Sequence, residues 1–206
     1  MSVEKFENEK WKGKDQQIVF RHKMALKMIG SGRVLDIGCG DGLFLEMLKN
    51  VTSEGVDISE EGIKKCIEKG LNVFLCDFSK DRLPFSDNEF DYVVMLDVLE
   101  HLYVPEELLK EAIRVSKKYV IISVPNFSSL PARVQTLFGG VPENNRPKKG
   151  HVYWFNLKIL EEMLKNNDLK IVDIKMNSFW GLNFLTRIFP SLFALSFILR
   201  MEKSIV

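Results

Sequence analysis

Apolar positions along this chain switch repeatedly between helical and strand spacing. From residue 15 to 29, Ile18, His22, Ala25 and Ile29 recur near the helical period, and Gly30-Ser31-Gly32 marks a stop. Arg33 to Ile37 is a short β-rich run, followed by a glycine loop and by Leu43 to Lys49, which reads as a helix. The next strand ends at Val56-Asp57. Ser59 suits the N-cap of a helix that places Glu60 and Glu61 at its positive end and stops at Gly70. Asn72 to Cys76 is a third strand, and the nearly continuous apolar run Phe90 to Leu96 predicts a central parallel strand covered on both faces.

The alternation continues beyond it. Pro105 fits a first helical turn, and the helix through Ser116 buries Leu108, Leu109, Ala112 and Ile113. Tyr119 to Val124 is a fifth strand, Asn156 caps a helix carrying Leu157, Leu160 and Leu164, and Leu169 to Met176 and Leu192 to Leu199 supply two more strands. Such a βαβα order predicts an α/β architecture, a seven-stranded, mostly parallel sheet with helices on both faces and ligands beyond the carboxyl ends of its strands. Residues 126–155, rich in Pro and Gly, form the irregular part and are expected to face a substrate; residues 1–30 are expected to form a helical cap.

Candidate chemistry concentrates after the first strand. In Val34-Leu35-Asp36-Ile37-Gly38-Cys39-Gly40-Asp41-Gly42, alternate glycines let the backbone turn sharply and approach a ligand, and Asp57 ends the next strand where a carboxylate can accept both hydroxyls of a ribose. The spacing is G-x-G-x-G, not the G-x-G-x-x-G of dinucleotide enzymes. Asp36 and Asp41 would repel a pyrophosphate and attract a cationic ligand. An NAD-dependent redox enzyme is therefore disfavoured.

Together with Gly55-Val56-Asp57-Ile58-Ser59, Cys76-Asp77-Phe78, Leu83 to Asp91 and Asp97-Val98-Leu99-Glu100-His101-Leu102, this segment resembles the successive motifs of class I S-adenosylmethionine (SAM)-dependent methyltransferases, in order over roughly residues 30 to 125. The resemblance implies a Rossmann-like fold with its last strand antiparallel, with SAM as cofactor and S-adenosylhomocysteine as product. It implies that Asp36 and the loop Gly38, Cys39, Gly40, Asp41 and Gly42 surround the methionine part of the cofactor. Asp57 would hold the ribose, Ile58 and Phe78 would pack on the adenine, Asp77 would accept from its exocyclic amine, and Asp97 and Val98 would floor the methionine site. Val124-Pro125-Asn126-Phe127, Arg133-Val134-Gln135, Leu137 to Gly140 and His151 are further similar to the methionine-biosynthesis protein W (MetW) subgroup, whose members partner a homoserine acyltransferase. The pair Glu100-His101 departs from that subgroup's pattern.

At 206 residues, 46% of them hydrophobic, the chain suffices for one sizeable core and is read as a single domain, residues 1–206. A net charge of +1 gives no general attraction to nucleic acid. Cys39, Cys66 and Cys76 have neither zinc nor disulfide spacing, so no metal site is expected, and a reducing cytoplasm fits best. The charged start lacks a secretory apolar core, and the apolar stretch Ile188 to Leu199 is broken by Pro190 and shorter than the roughly 20 residues of a bilayer span. If Phe179 to Pro190 exposes an apolar surface, a homodimer or a lipid-like substrate becomes a candidate.

His101 follows the fourth strand closely enough to be a general base or a wall of the transfer site, and His151 and Tyr153 could reach over the pocket toward a substrate. Trp154 and Phe155 read as core anchors. Two functions result: methyl transfer to an N, O or C nucleophile of a small molecule, or a SAM-binding regulatory subunit of an acyltransferase.

Overall fold

The structure, a computed structural model, describes residues 3–12 and 15–203. Strands β1 (Arg33–Ile37), β2 (Thr52–Asp57), β3 (Val73–Leu75), β4 (Phe90–Leu96), β5 (Ser116–Pro125), β6 (Leu169–Ser178) and β7 (Ala194–Lys203) form one seven-stranded sheet in the order β3-β2-β1-β4-β5-β7-β6. β1 to β5 pair in parallel. β7 lies between β5 and β6, antiparallel to both. The mostly parallel α/β sheet and its antiparallel last strand match the expectation from the sequence.

Period-two side-chain alternation explains why the central strands are apolar at nearly every position. Leu35, Ile37, Val93, Met95, Val120, Ile122, Phe197 and Leu199 point to one face. Val34, Tyr92, Val94, Ile121 and Ile198, their sequence neighbours, point to the other. The first face is covered by α5 (Pro105–Val115) and α7 (Leu157–Asn166), which bury Leu108, Leu109, Ala112, Leu160 and Leu164. The second is covered by α2 (Phe20–Met28), α3 (Leu43–Met47) and α4 (Glu60–Glu68), through Ala25, Met28, Phe44, Leu45, Ile63 and Cys66.

The helix caps follow the sequence. Ser59 Oγ accepts from Gly62 N at 3.1 Å, and Asn156 Oδ1 from Ile159 N at 2.9 Å. Several details differ. The helix expected from residue 15 begins at Phe20, because Val19 is extended and its N–H donates to His22 Nδ1 at 3.2 Å. The last strand begins at Ala194, not Leu192, because Pro190 opens a short helix, α9 (Pro190–Phe193), that consumes Leu192. Trp154 is more than half exposed, so of the two expected anchors only Phe155 lies in the core.

Helices α1 (Val3–Trp11), α6 (Leu130–Leu137) and α8 (Asn183–Ile188) lie outside the sheet layers. α1 docks on the start of α4, where Asn8 Oδ1 takes a hydrogen bond from Ser59 Oγ at 2.8 Å. No helix among the described residues is long and apolar enough to cross a membrane.

Candidate functional site

The strand order reverses between β1 and β4, so their carboxyl ends diverge and leave a crevice. Gly38 follows β1 with φ +77°, and a Cβ there would lie 2.5 Å from Val98 Cγ2. Only glycine allows this turn with Val98 beneath it. Asp97 leaves β4 at φ 57°, a left-handed conformation uncommon for a non-glycine residue. Its Oδ1 accepts from Ser123 Oγ, and its Oδ2 pairs with Arg21 Nη1 at 3.1 Å.

Above these turns lies a cavity of about 830 Å³. Of the residues expected from the sequence, Gly38, Asp57, Ile58, Phe78, Asp97, Val98, His101 and His151 line it. Asp77 borders an adjoining hollow that shares Ile58, Phe78 and His101 with the main cavity, and its carboxylate is held by Ser79 and Lys80.

The rest of the glycine loop builds the cradle without facing into it. Asp41 Oδ2 accepts from Gln16 N at 2.7 Å, tying the segment ahead of α2 to the loop. Cys39 packs against Cys66 in the core, and a Cβ on Gly42 would meet Leu71 and Cys66. Gly40, at φ +57°, lies beneath Trp11, whose ring atoms would stand 2.5 Å from an added Cβ. Tyr153 turns toward Glu106 and packs on Phe155 instead of reaching over the cavity.

Asp57 is buried, and desolvation pushes its pKa up to about 6 against the pull of hydrogen bonds from Ser59 N and Gly40 N. Gly40 N donates to Oδ2 at 2.7 Å and Ser59 N to Oδ1 at 2.8 Å. Each oxygen keeps a free lone pair. Asp36 is buried, and that burial together with the charge of Asp57 drives its pKa well up. The acids lining the cavity are Glu7, Glu9, Asp15, Asp57 and Asp97.

Sequence reasoning expected a helical cap over residues 1–30 but did not name the residues with which it walls the cavity: Phe6, Glu7, Lys10 and Trp11 of α1, and Arg21 of α2. Trp11 Nε1 and Arg21 Nε are buried without a hydrogen-bond partner. Two orphaned donors on residues that line one cavity fit an anionic ligand group, such as the carboxylate of an amino acid. Glu100 was also missed. It is fully buried beside His101, whose pKa burial lowers to about 3.

A family profile described as methionine biosynthesis protein MetW matches residues 20–175. The chain belongs to the MetW family. A protein of Methanocaldococcus jannaschii, MJ1123, is 36% identical over 113 residues, which cover 54% of this chain and 53% of that one. The bifunctional methionine biosynthesis protein MetXA/MetW of Rhodopirellula baltica is 33% identical over 115 residues, covering 50% of this chain and 18% of that one. This MetW-family chain thus spans about half the length of the first relative and under a fifth of the second. Its fold is that of the class I SAM-dependent methyltransferases. The magnesium protoporphyrin IX methyltransferase of Synechocystis PCC 6803, solved with bound S-adenosylhomocysteine, superposes with a TM-score of 0.68 at 18% identity, covering 98% of each chain.

Proposed function

We propose that this chain is a SAM-binding subunit of MetW type that works by docking on an acyltransferase. The observation that carries the SAM assignment is the convergence of Gly38, Asp57, Ile58, Phe78, Asp97 and Val98 on one cavity with two unpaired donors in its wall. In this reading Asp57 accepts the ribose hydroxyls, Ile58 and Phe78 hold the adenine, and Asp77 takes its exocyclic amine. Trp11 Nε1 and Arg21 receive the cofactor's carboxylate, and Asp97 faces its ammonium group. SAM, when bound, supplies an electrophilic methyl group.

The partner role draws support from the family and from the relative in which MetXA and MetW share one chain. It also draws on the surface. α6 follows β5, and α8 and α9 precede β7, so both excursions emerge at the sheet edge that carries the cavity. They present Phe138, Trp180 and Phe184 at 83%, 86% and 73% exposure, apolar area that a free surface seldom keeps. An acyltransferase seated there would cover it. The three cysteines are free and buried, which suits a reducing cytoplasm, and residues 1–206 would act as one domain.

A second reading, methyl transfer to a small-molecule nucleophile, is favoured by His101 and His151, which line the same cavity and would face an acceptor. Calorimetry with SAM and NAD on the cofactor-stripped protein tests the cofactor. Micromolar SAM binding, weakened about 100-fold by Asp57→Ala, is expected, and preference for NAD would overturn it. Size-exclusion chromatography with a homoserine acyltransferase should show a complex that Phe138→Ser and Trp180→Ser abolish. If instead S-adenosylhomocysteine accumulates with an acceptor and no complex forms, the second reading stands.

A further inference from the structure

We propose that Glu100, His101 and His151 form a binding site for a divalent first-row transition-metal ion in the wall of the cavity. One ligand atom from each of these three residues lies within 4.8 Å of the others. The inference rests on neither functional reading, because metal uptake can be measured without cofactor, acceptor or partner.

Glu100 is the strongest evidence. Its side chain is fully buried, and apart from a pull from its own backbone N–H neither carboxylate oxygen has a hydrogen-bond partner among the described residues. The nearest basic group is His151 Nε2, 3.9 Å from Oε1, outside hydrogen-bond reach. A buried carboxyl group without donors is costly as the anion and as the acid, since the neutral form still carries an unmatched hydroxyl. A cation at this point removes that cost.

The two imidazoles are already arranged as ligands. His101 Nδ1 lies 3.2 Å from Gly150 O, and His151 Nδ1 lies 2.9 Å from Asn144 O. A carbonyl only accepts, so each Nδ1 carries the proton and each Nε2 presents a lone pair. An outer carbonyl that fixes the tautomer in this way is the usual support of a metal-bound histidine.

The backbone holds the set together. Val152 N and Tyr153 N both donate to Glu100 O, at 2.8 and 3.0 Å, fastening the segment that carries His151 to the turn that carries His101. The two rings meet edge to face with centroids 4.8 Å apart. Ligand atoms around a tetrahedral zinc stand roughly 3.4 Å from one another, so modest side-chain rotation closes the site. Two nitrogens and one carboxylate suit Zn²⁺, Co²⁺, Mn²⁺ or Fe²⁺ and leave positions for water or an oxygen of a molecule in the cavity. The negative charge of Asp97, felt at both Glu100 and His151, adds to the attraction. The bland alternative is a histidine pair packed for shape beside a protonated glutamic acid, which binds no ion.

The test uses the untagged, chelator-treated full chain titrated with Co²⁺. The expected result is one Co²⁺ per chain, visible d–d absorption, and two exchangeable imidazole N–H protons shifted by the paramagnetic ion in proton NMR. Glu100→Gln and His151→Asn, checked for native circular dichroism, should each weaken binding at least about 100-fold. Should both variants misfold, the two shifted N–H signals of the unaltered chain decide alone. Absence of Co²⁺ binding below millimolar concentration overturns the proposal. So does sulfur-to-cobalt charge-transfer absorption from the cysteines, or affinity that survives both substitutions.

Discussion

Gly38→Ala tests whether the crevice floor is built as described. Two costs should add. Placing a Cβ at φ +77° costs roughly 1–2 kcal/mol, as for any L-residue in the left-handed region. The new methyl would stand 2.5 Å from Val98 Cγ2, and displacing a packed side chain costs roughly 1–3 kcal/mol more. The expected destabilisation is about 3 kcal/mol, read as a lower urea midpoint at unchanged m-value. Removing Val98 Cγ2 separates the two costs. In Gly38→Ala/Val98→Ala the collision disappears while the backbone strain stays, so the double variant should be roughly 1–2 kcal/mol more stable than the sum of the single losses predicts. SAM affinity should recover in parallel, because Val98 would no longer be driven into the cavity. Additivity within about 0.5 kcal/mol would show that the loop accepts a methyl without moving Val98, and the account of Gly38 would be wrong.

Three further outcomes follow from the same geometry. Asp57, raised to about 6 by desolvation, holds its proton more tightly folded than unfolded, so the cofactor-free protein should lose up to ~3 kcal/mol as pH rises from 3.8 to 6. Thermal unfolding across that window should show the slope in the wild type and not in Asp57→Asn. His22, lowered to about 4 by burial, acts oppositely: its contribution of ~3 kcal/mol is complete above pH 6.5 and is lost as pH falls toward 4, which NMR titration and a flatter acid limb in His22→Asn would check. Arg114 reaches Glu111, Asp87, Phe85 O and Leu83 O, so Arg114→Lys, which loses the planar fork, should destabilise by about 2 kcal/mol in chemical denaturation.

Most of the sheet was legible because its signals are local. Phe90–Leu96 occupies the same residues that its apolar run marks, since a strand covered on both faces admits few polar positions. Ser59 and Asn156 cap the helices they were expected to cap, because capping needs only the next three residues. Long-range contacts were hidden. A helical cap over residues 1–30 was expected, but the residues by which α1 lines the cavity, Phe6 and Trp11 among them, were not picked out because they are surrounded by charge. Asp41 and Cys39 belong to the expected loop, but their side chains answer to Gln16 and Cys66, partners the linear order does not reveal. Glu100 was read only as part of the motif that carries His101. Its burial depends on residues 150–153 folding back across it, a contact about fifty positions away in the chain.

The insertion of β7 between β5 and β6 also sets an order of events at the ribosome. β6 pairs with β7 alone, and β5 finds its outer neighbour there too. Until residues 194–203 have emerged, the nascent chain can zip β1 to β5 but must leave β6 without its strand partner. Closing the sheet is therefore a late, long-range step with a correspondingly slow loop closure. A ribosome stalled short of residue 194 would present an open strand edge to chaperones, and that edge disappears when β7 slides into the gap.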